Sequence, residues 1–366
     1  PPARRWLTPA ARVGPRQRRG RSSSTVSVMT YNILCDKYAT SERYGYTSAA
    51  ALDWDYRKQR ILGELLKHKP DIICLQEVDA EQFETFFLPR LSEHGYDGVH
   101  YRKSRAWGVP DQEKRQVDGC ATFFNSDSFA LVRHHVVEFS RVALQRFDRD
   151  KTDHLLDRVV SKDNVGVLTL LENRRTGERL IVAQTHIHWN PLFCDVKLVQ
   201  VALLMEELAK VADGFAREPP RTVGLAKGLR APRYVCGVEV ATIVCGDLNS
   251  TPDSAVYEVL LEGRVAADHP ELRGYSYGRD FFTHPYELKS AHMHVEDDNQ
   301  RGELPFTTFT PDFTDTIDYI WYSAPTLAVR GVLGEVDGQY AASRCGFPDA
   351  HFPSDHIPLV AEFGFR

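Results

Sequence analysis

The sequence lacks the features that define several classes of protein. Its seven cysteines are scattered, odd in number and without close pairs. This spacing excludes a disulfide framework and a zinc ribbon, and it favours a reducing compartment. No run approaches about eighteen consecutive apolar residues, so we predict no transmembrane helix and no membrane partner. The composition, 42% hydrophobic and 26% charged, is typical of a globular protein with a substantial core.

Charge is nearly balanced over the whole chain, at a formal net of −5, but it is unevenly distributed. Residues 1–21 hold seven of the 45 basic residues and no acidic residue, which leaves 38 basic against 50 acidic residues in the remainder. We predict that 1–21 form a basic, disordered tail. Two alternatives are a segment that contacts phosphates and a presequence. The acidic body does not exclude a nucleic-acid substrate, because bound divalent cations reverse the local field.

Strand-like and helix-like patterns alternate from residue 22 to the end, which predicts one α/β domain over residues 22–366. Residues 214–234 interrupt this pattern with proline, glycine and basic residues, and they are predicted to form an exposed loop. The predicted strands are 26–31, 71–75, 120–124, 165–171, 180–185, 241–245, 317–322, 327–332 and 358–363, and the predicted helices are 55–69, 80–91, 196–211 and 252–261.

Short polar motifs lie at or just beyond the ends of these strands. Strand ends that converge with carboxylate, amide and imidazole groups can bind a hard cation beside a phosphate. The motifs therefore predict a magnesium-dependent phosphodiesterase. The candidate residues are Asn32, Glu77, His186, Asp247, Asn249, Asp318, Asp355 and His356.

Glu77 ends a buried apolar run, where a carboxylate is costly unless it is paired or binds a metal. Because Mg²⁺ needs only one or two carboxylates besides water and substrate oxygens, a single glutamate is enough to anchor it. The alternative is a strand-end glutamate that caps a loop or pairs with an arginine. Asn32 is neutral, lies just past the first strand, and is suited to bind metal-bound water or a phosphate.

Asp247 and Asn249 follow a strand with Gly246 before them, which allows a tight exit from that strand. Their i, i+2 spacing places both side chains on one side of an extended chain. The aspartate is suited to orient or deprotonate a water, and the asparagine to donate to a phosphate oxygen. The alternative is an Asx-turn and N-cap for the helix predicted to begin at Pro252.

Asp318 lies inside an apolar strand, and His356 follows directly after Asp355. An aspartate that holds one imidazole nitrogen leaves the other nitrogen free for proton transfer or for developing charge. The alternative is a buried structural Asp–His pair. His186 and His188 alternate along a predicted strand, so we expect only one of them to face the site.

Longer stretches of the chain add a family resemblance. The ordered motifs resemble the endonuclease/exonuclease/phosphatase superfamily. The most similar branch is the nuclease domain of the carbon catabolite repressor deadenylases, the 3′ poly(A) exonucleases of the Ccr-Not complex. The stretches that carry this likeness are 31–40, 55–62, 103–105, 117–124, 162–167, 188–200 and 247–254.

The resemblance implies a DNase I-like α/β fold, in which two packed β-sheets are flanked by helices. It implies a magnesium-dependent 3′–5′ exoribonuclease that shortens mRNA poly(A) tails and releases 5′-AMP, with two Mg²⁺ ions that Mn²⁺ can replace. Its partners would be poly(A) RNA and, if the full-length protein carries the usual leucine-rich repeats, other Ccr-Not subunits. It also implies a location in the cytoplasm, with the nucleus as a second location.

The family also implies roles for matching residues. Glu77 would be the principal magnesium ligand, with Asn32 and Asp355 beside the second metal position. Asp247 and Asn249 would handle the nucleophilic water and the scissile phosphate.

Further roles concern the phosphate and the base. His186 would contact the phosphate, and Asp318 would orient His356. Pro191 and Phe313 would flank the terminal adenine together with the asparagine of the Asp247 motif. Composition alone predicts instead that this phenylalanine is a core residue.

The chain departs from the family pattern at Asn190, Leu248 and Thr308, where aspartate, an aromatic residue and asparagine are frequent. The last departure would soften adenine contacts. One alternative function is a nocturnin-like phosphatase that removes a phosphate from NADP(H). The other is a catalytically silent scaffold that binds RNA or protein. The full set of buried acidic residues argues against the scaffold.

Overall fold

The computed structural model describes residues 3–9, 24–147, 154–221, 230–272, 274–275, 277, 282–293 and 302–366. In these residues two β-sheets pack face to face, and helices cover their outer faces. The predicted architecture of two packed sheets flanked by helices is therefore confirmed. No helix in the described part of the chain is long and apolar enough to cross a bilayer.

The first sheet has seven strands; the β2–β3 pairing at its centre is parallel, and the other five pairings are antiparallel. Its strands, in spatial order, are β1 (Trp6–Leu7), β14 (Leu327–Leu333), β15 (Leu359–Phe365), β2 (Thr25–Asn32), β3 (Ile72–Asp79), β5 (Asp118–Asn125) and β4 (Tyr96–Arg102).

The second sheet has six strands, and a two-stranded ribbon lies apart from both sheets. The strands of the second sheet, in spatial order, are β10 (Leu288–Ser290), β13 (Asp318–Ser323), β9 (Ala241–Asp247), β8 (Arg179–His186), β7 (Val165–Asn173) and β6 (Phe129–Glu138). The ribbon consists of β11 (Thr308–Phe309) and β12 (Thr314–Asp315).

The helices are mostly short, and one long helix covers the second sheet. The α-helical segments are α1 (Ala49–Leu52), α2 (Trp54–His68), α3 (Ala80–Gln82), α4 (Leu88–Ser92), α5 (Asp111–Lys114), α6 (Phe139–Arg146), α7 (Cys194–Arg217), α8 (Ala255–Glu262) and α9 (Gly338–Ala342). The π-helical segments are Phe83–Phe87 and Leu155–Val160, and the 3₁₀ segments are Asp36–Tyr38, Ser104–Gly108, Pro191–Phe193, Gly237–Glu239 and Pro270–Leu272.

Strand direction brings the polar strand ends to one end of the sandwich. In the first sheet β2 and β3 are parallel, with Asn32 opposite Gln76. In the second sheet β8 and β9 are parallel, with His186 opposite Asp247. Strand β13 runs antiparallel to β9, and its first residue, Asp318, also lies opposite Asp247. The carboxyl ends of four strands and the start of a fifth therefore meet at the same edge.

Local signals account for helix α2, which agrees with the predicted helix within about a residue at each end. The side chain of Asp53 accepts a hydrogen bond from the Tyr56 N–H and caps the first turn. At the other end Lys69 adopts a left-handed conformation and its N–H bonds to Leu65 O. Pro70 follows and prevents continuation of the helix.

Two predicted helices differ from the structure. The helix expected from Pro252 begins at Ala255, because the Ser254 side chain accepts from the Tyr257 N–H and is the N-cap. The helix expected over 80–91 is divided by the π-helical segment Phe83–Phe87. Strands β4 and β6 were not predicted, because polar residues interrupt the alternation of apolar and polar side chains that indicates a strand.

The predicted tail 1–21 is wrong for residues 3–9. Trp6 and Leu7 form β1 and pair with β14, with Trp6 opposite Leu333. The Arg4 guanidinium donates to Gly334 O at 2.7 Å and to Pro358 O at 2.5 Å. Burial lowers the pKa of Arg4 to about 10. This segment is fixed because long-range hydrogen bonds, which composition does not reveal, satisfy the arginine. Residues 10–21 lie outside the described residues.

The loop predicted over 214–234 is partly wrong as well. Residues 214–217 continue helix α7, whose buried apolar face packs on the second sheet up to Phe215 and Ala216. Packing against the sheet extends the helix beyond the point where the sequence pattern weakens. Residues 222–229 lie outside the described residues.

We expect Arg4→Ala to lower the free energy of unfolding by about 1–3 kcal/mol, because three backbone carbonyls lose a charged donor. Arg5→Ala is the matched control, since Arg5 is exposed. Urea denaturation of both variants measures the difference. Equal stability of the two variants would show that the Arg4 contacts contribute nothing.

Candidate active site

The strand ends place the predicted polar residues in one cluster that joins the two sheets. The clearest link is Asn32 at the end of β2. Its amide nitrogen donates to Glu77 Oε1 at 3.2 Å and to Asp247 Oδ2 at 2.9 Å. Its amide oxygen accepts from the Leu34 N–H at 3.1 Å. Asn32 therefore holds a carboxylate of the first sheet beside a carboxylate of the second sheet.

Glu77 does not end its strand but forms an irregularity within β3. The pairing register shifts between Gln76 and Val78, and Glu77 has a φ of 62°. A left-handed conformation is strained for a residue other than glycine and is frequent at functional sites. It turns the carboxylate away from the sheet, where Oε2 accepts from the Cys35 N–H at 2.9 Å.

The Glu77 carboxylate lies in an acidic environment. Its side chain is 13% exposed. Burial raises the pKa of Glu77, with Asp118 and Asp355 contributing in the same direction and Lys103 opposing them. A group in this position is stabilised as a carboxylate by any cation that binds next to it.

Asp247 occupies the centre of the cluster. Its Oδ2 lies 2.9 Å from the Asn32 amide nitrogen, 3.4 Å from His186 Nε2 and 3.7 Å from His356 Nε2. Burial raises the pKa of Asp247, and Asp318 adds to the rise while the two histidines oppose it. This carboxylate can accept a proton from a water that lies beside it.

The turn after Asp247 depends on Gly246. Gly246 has a φ of 134°, and a Cβ at this position would overlap the backbone oxygen of Thr185 on β8. Asp247 Oδ1 accepts from the Asn249 N–H at 2.9 Å, so the Asx-turn considered as an alternative is present. The N-cap expected from the same motif is wrong, because Ser254 caps the helix that follows.

Asn249 is held from two sides. It has a φ of 43°, its side-chain nitrogen donates to Ile187 O at 3.2 Å, and the Lys197 ammonium donates to its carbonyl at 2.6 Å. Lys197 is buried on α7, and burial lowers its pKa. The sequence did not single out this lysine, although the stretch 188–200 carried part of the family likeness.

Asp318 and His356 form a buried pair. His356 Nδ1 lies 2.7 Å from Asp318 Oδ2, and Thr307 donates to the same oxygen at 2.7 Å. Burial alone would lower the pKa of His356, but Asp318, Asp247 and Asp355 raise it well above 6.5. The imidazolium form is therefore favoured. The second imidazole nitrogen, Nε2, faces Asp247 in the centre of the cluster.

The two histidines of the T-H-I-H-W motif separate as expected, but for a different reason. Strand β8 ends at His186, which faces Asp247, and His188 lies in the following loop. Burial lowers the pKa of His186 to about 4. His186 Nδ1 is 4.0 Å from Glu77 Oε1 and has no hydrogen-bond partner among the described residues.

The remaining predicted residues are Asp355, Pro191 and Phe313. Tyr44 donates to Asp355 Oδ2 at 2.7 Å, a contact that the sequence did not reveal. Pro191 is exposed in a 3₁₀ turn, and Phe313 is 47% exposed at the turn between β11 and β12. The composition-based expectation that Phe313 is a core residue is wrong. The ribbon contacts the site because Thr307, directly before β11, donates to Asp318.

A buried ion network, also missed, adjoins Glu77. Asp118 is buried between Lys103 at 2.7 Å, Lys37 at 2.8 Å and Arg105. Burial alone would raise the pKa of Asp118, but the three cations hold it well below its usual range. The network supplies positive charge next to the acidic cluster. Only the stretches 103–105 and 117–124 pointed to it in the sequence.

The donor atoms of the cluster fit a divalent cation. Ligand atoms of Asp247, Asp318 and His356 lie within 4.8 Å of one another. Because Asp318 already holds His356 Nδ1, we regard that group as an Asp–His pair beside Asp247. Glu77 and Asp355 lie outside this group of three and add further carboxylate oxygens, which are ligands that hard cations prefer. Asp318 Oδ1 has no partner among the described residues.

The chain matches the sequence model of the endonuclease/exonuclease/phosphatase family over residues 29–356, a span that contains the whole cluster. The chain belongs to this family. It is 46% identical over 349 residues to the "CCR4-Not complex 3'-5'-exoribonuclease subunit Ccr4" of Mycosarcoma maydis, which covers 94% of the chain and 51% of that protein. The subunit of the same name from Coccidioides immitis is 42% identical over 389 residues, or 100% of the chain and 50% of that protein.

The chain thus spans about half the length of the curated relatives that it matches. Among solved structures, the 2′,3′-cyclic phosphatase ANGEL2 in complex with adenosine-2′,3′-vanadate has a TM-score of 0.74 at 26% identity, covering 99% of the chain and 98% of that structure. The human Nocturnin catalytic domain with bound sulfate has a TM-score of 0.62 at 26% identity, covering 93% and 95%.

We expect Asp318→Asn and His356→Ala to be strongly non-additive in phosphate-ester hydrolysis. If Asp318 acts through the imidazole at 2.7 Å, either change removes the same protonated group. Each single change should lower kcat by roughly 10²–10⁴-fold, and the double variant should be no slower than the slower single variant. Steady-state kinetics of the three variants measure this. A double loss equal to the product of the single losses would show that the residues act separately.

Proposed function

We propose that the chain is a magnesium-dependent 3′–5′ exoribonuclease that shortens poly(A) tails and releases 5′-AMP. The observation that carries the proposal is the cluster around Asp247 in a chain 41–46% identical to fungal Ccr4 subunits over nearly its whole length. A scaffold without activity would gain nothing from two like-charged carboxylates held together in a buried position, since each costs free energy without a cation.

Two Mg²⁺ ions, for which Mn²⁺ can substitute, are proposed as the cofactors. Glu77 would be the principal ligand, with Asp355 and Asn32 beside the second position. The Asn32 amide nitrogen points towards the two carboxylates, so this residue would act mainly by holding them in place. When bound, the cations would stabilise the negative charge that develops on the phosphate oxygens.

The protein's own residues provide the remaining steps. Asp247 would orient a water and accept its proton as the water oxygen bonds to phosphorus and the bond to the leaving 3′ oxygen breaks. His356, held as an imidazolium by Asp318, would present its Nε2–H to the phosphate. His186, neutral at physiological pH, would donate a hydrogen bond to another phosphate oxygen. Asn249 would also donate a hydrogen bond to a phosphate oxygen, from the other side of Asp247.

Base recognition is proposed for Pro191 and Phe313. Both are exposed, and both lie in segments attached to the cluster: Pro191 follows the loop after His186, and Phe313 lies in the ribbon that contacts Asp318 through Thr307. An aromatic face stabilises a stacked base by roughly 1–3 kcal/mol without selecting its identity. Preference for adenine would require hydrogen bonds as well, for which Asn249 is the candidate.

Partners and location remain part of the proposal. The relatives are named as subunits of the CCR4-Not complex, so we propose that the full-length protein joins other subunits of such a complex. The docking surface would be the leucine-rich repeats that accompany this domain in the family. We propose action in the cytoplasm, with the nucleus as a second location.

A phosphatase is the second candidate, because the solved ANGEL2 and Nocturnin domains have the same fold at 26% identity. Three substrates separate the candidates: a 5′-labelled RNA with a poly(A) tail and free 3′ hydroxyl, the same RNA with a 2′,3′-cyclic phosphate, and NADPH. An exoribonuclease should shorten the first RNA in single-nucleotide steps and release 5′-AMP, and it should do so only when Mg²⁺ is present. Phosphate release from NADPH, or opening of the cyclic phosphate without shortening of the RNA, would instead support a phosphatase.

We expect Glu77→Ala to yield a folded protein whose activity on poly(A) RNA falls by roughly a thousandfold or more, because the principal ligand is lost. Glu77→Gln tests the charge alone and avoids placing alanine at a φ of 62°. Glu81→Ala, at an exposed glutamate nearby, is the control. Circular dichroism confirms folding. Activity of either Glu77 variant within tenfold of wild type would contradict the assignment.

We expect Phe313→Ala to slow the trimming of poly(A) at least tenfold while the melting temperature changes little, since the side chain is 47% exposed. Phe313→Tyr keeps the aromatic face and should restore the rate. Initial rates on poly(A) RNA and thermal melts of the three proteins test this. Unfolding of the alanine variant, or a normal trimming rate, would remove Phe313 from the base site.

A further inference from the structure

The loop after β8 exposes a large aromatic side chain that the proposed reaction does not use. Trp189 is 68% exposed, and the indole has no hydrogen-bond partner among the described residues. The neighbouring Leu192 is 80% exposed. Exposing an indole to water is unfavourable, so a position of this kind indicates a surface that another molecule covers.

The loop is attached directly to the catalytic cluster. Trp189 comes three residues after His186, so their Cα atoms are at most about 11 Å apart. Between them, the Ile187 N–H donates to Asp247 O at 3.2 Å, and Asn249 donates to Ile187 O at 3.2 Å. A strand whose phosphate lies at Asp247 would therefore pass Trp189 within one or two nucleotides.

Contacts with helix α7 and the turn before it also hold the loop in place. The His188 N–H donates to Gln200 Oε1 at 2.8 Å, and the His188 ring packs edge-on against Phe193 with centroids 5.1 Å apart. The centroids of the His188 and Trp189 rings are 6.2 Å apart. The Leu192 N–H donates to Asn190 Oδ1 at 2.9 Å. The indole is thus presented by an ordered support, which reduces the entropy lost on binding.

Two lysines, Lys162 and Lys197, lie near His188 in this loop. Lys162 Nζ lies 4.6 Å from the Phe193 ring and makes no ion pair within the described residues. Burial, together with the nearby cations Lys162 and Lys197, lowers the pKa of His188 to about 4. Asp163, which also lies near His188, pairs with Arg105.

A second acidic residue near the loop, Asp195 on α7, pairs with Arg158 at 2.6 Å. Arg158 also lies over the Phe193 ring at 4.3 Å. Both aspartates are paired with arginines, whereas Lys162 and Lys197 make no ion pair within the described residues. An exposed aromatic face next to an unmatched cation is the combination that binds single-stranded nucleic acid.

We propose that Trp189 is a second base-stacking position, which holds a nucleotide on the 5′ side of the scissile phosphate while Lys162 lies near the adjoining phosphodiester. This inference rests on the proposed exoribonuclease function. Stacking on an indole does not select one base, so the position would contribute affinity and alignment of the strand, and base preference would remain with the terminal nucleotide.

We expect Trp189→Ala to raise KM for a poly(A) oligonucleotide about tenfold or more, with kcat changed by less than about threefold. The decisive comparison uses RNAs that lack one base, at the second or the third nucleotide from the 3′ end. If that base stacks on the indole, wild type and Trp189→Ala should differ little on one of these RNAs. Trp189→Phe should retain most of the wild-type affinity.

Leu192→Ala is the matched control, because Leu192 is in the same loop and more exposed but has no aromatic face. Equal weakening by Leu192→Ala and Trp189→Ala would show that the loop contributes without its aromatic face, and it would overturn the proposal. An unchanged KM for Trp189→Ala on every RNA would also overturn it.

Binding in a Glu77→Gln background separates this inference from the proposed function. Fluorescence anisotropy with uncleaved poly(A) RNA should show weaker binding for Trp189→Ala at every salt concentration, and a salt slope reduced by about one for Lys162→Ala. If the wild type does not trim RNA, the function fails, and the anisotropy still decides whether Trp189 binds single strands. An unchanged Kd for Trp189→Ala would refute the stacking position in either case.

Discussion

The site depends on one amide that holds two carboxylates from different sheets side by side. Asn32 donates to both Glu77 and Asp247, although their negative charges repel each other and burial disfavours both. Only the packing of the two sheets can impose this approach. Because a cation between carboxylates offsets both costs, the same constraint that strains the protein makes it suited to bind a divalent metal.

Backbone strain is concentrated at the same place. Three of the four described non-glycine residues with positive φ, Leu34, Glu77 and Asn249, lie in the segments that form the site. The fourth, Lys69, ends a helix. Strained conformations of this kind persist only where the surrounding structure enforces them. The apolar cores between the sheets and beneath α7 supply that support, and the strain directs the polar groups towards one point.

The buried polar cluster and the exposed aromatic residues bear on different properties of the protein, namely the reaction and the choice of substrate. Family members with the same fold include proteins named as exoribonucleases and as phosphatases, so fold alone does not decide the substrate. The buried carboxylates and imidazoles suit any phosphate ester. The exposed aromatic residues Phe313 and Trp189 carry the proposed preference for a single strand, because they contribute little to the core and are exposed to solvent.

A family resemblance implied the two packed sheets, and the sequence by itself determined the alternating α/β pattern, the ends of α2 and the identity of the clustered polar residues. Those features depend on neighbours in the chain, such as the Asp53 cap, the proline after Lys69 and polar groups at the ends of apolar runs. Only the tertiary structure decided that residues 3–9 join a sheet, that Tyr44 binds Asp355 and that Phe313 is exposed. These features rest on contacts between residues far apart in the chain, and local patterns carry no information about which distant groups will meet.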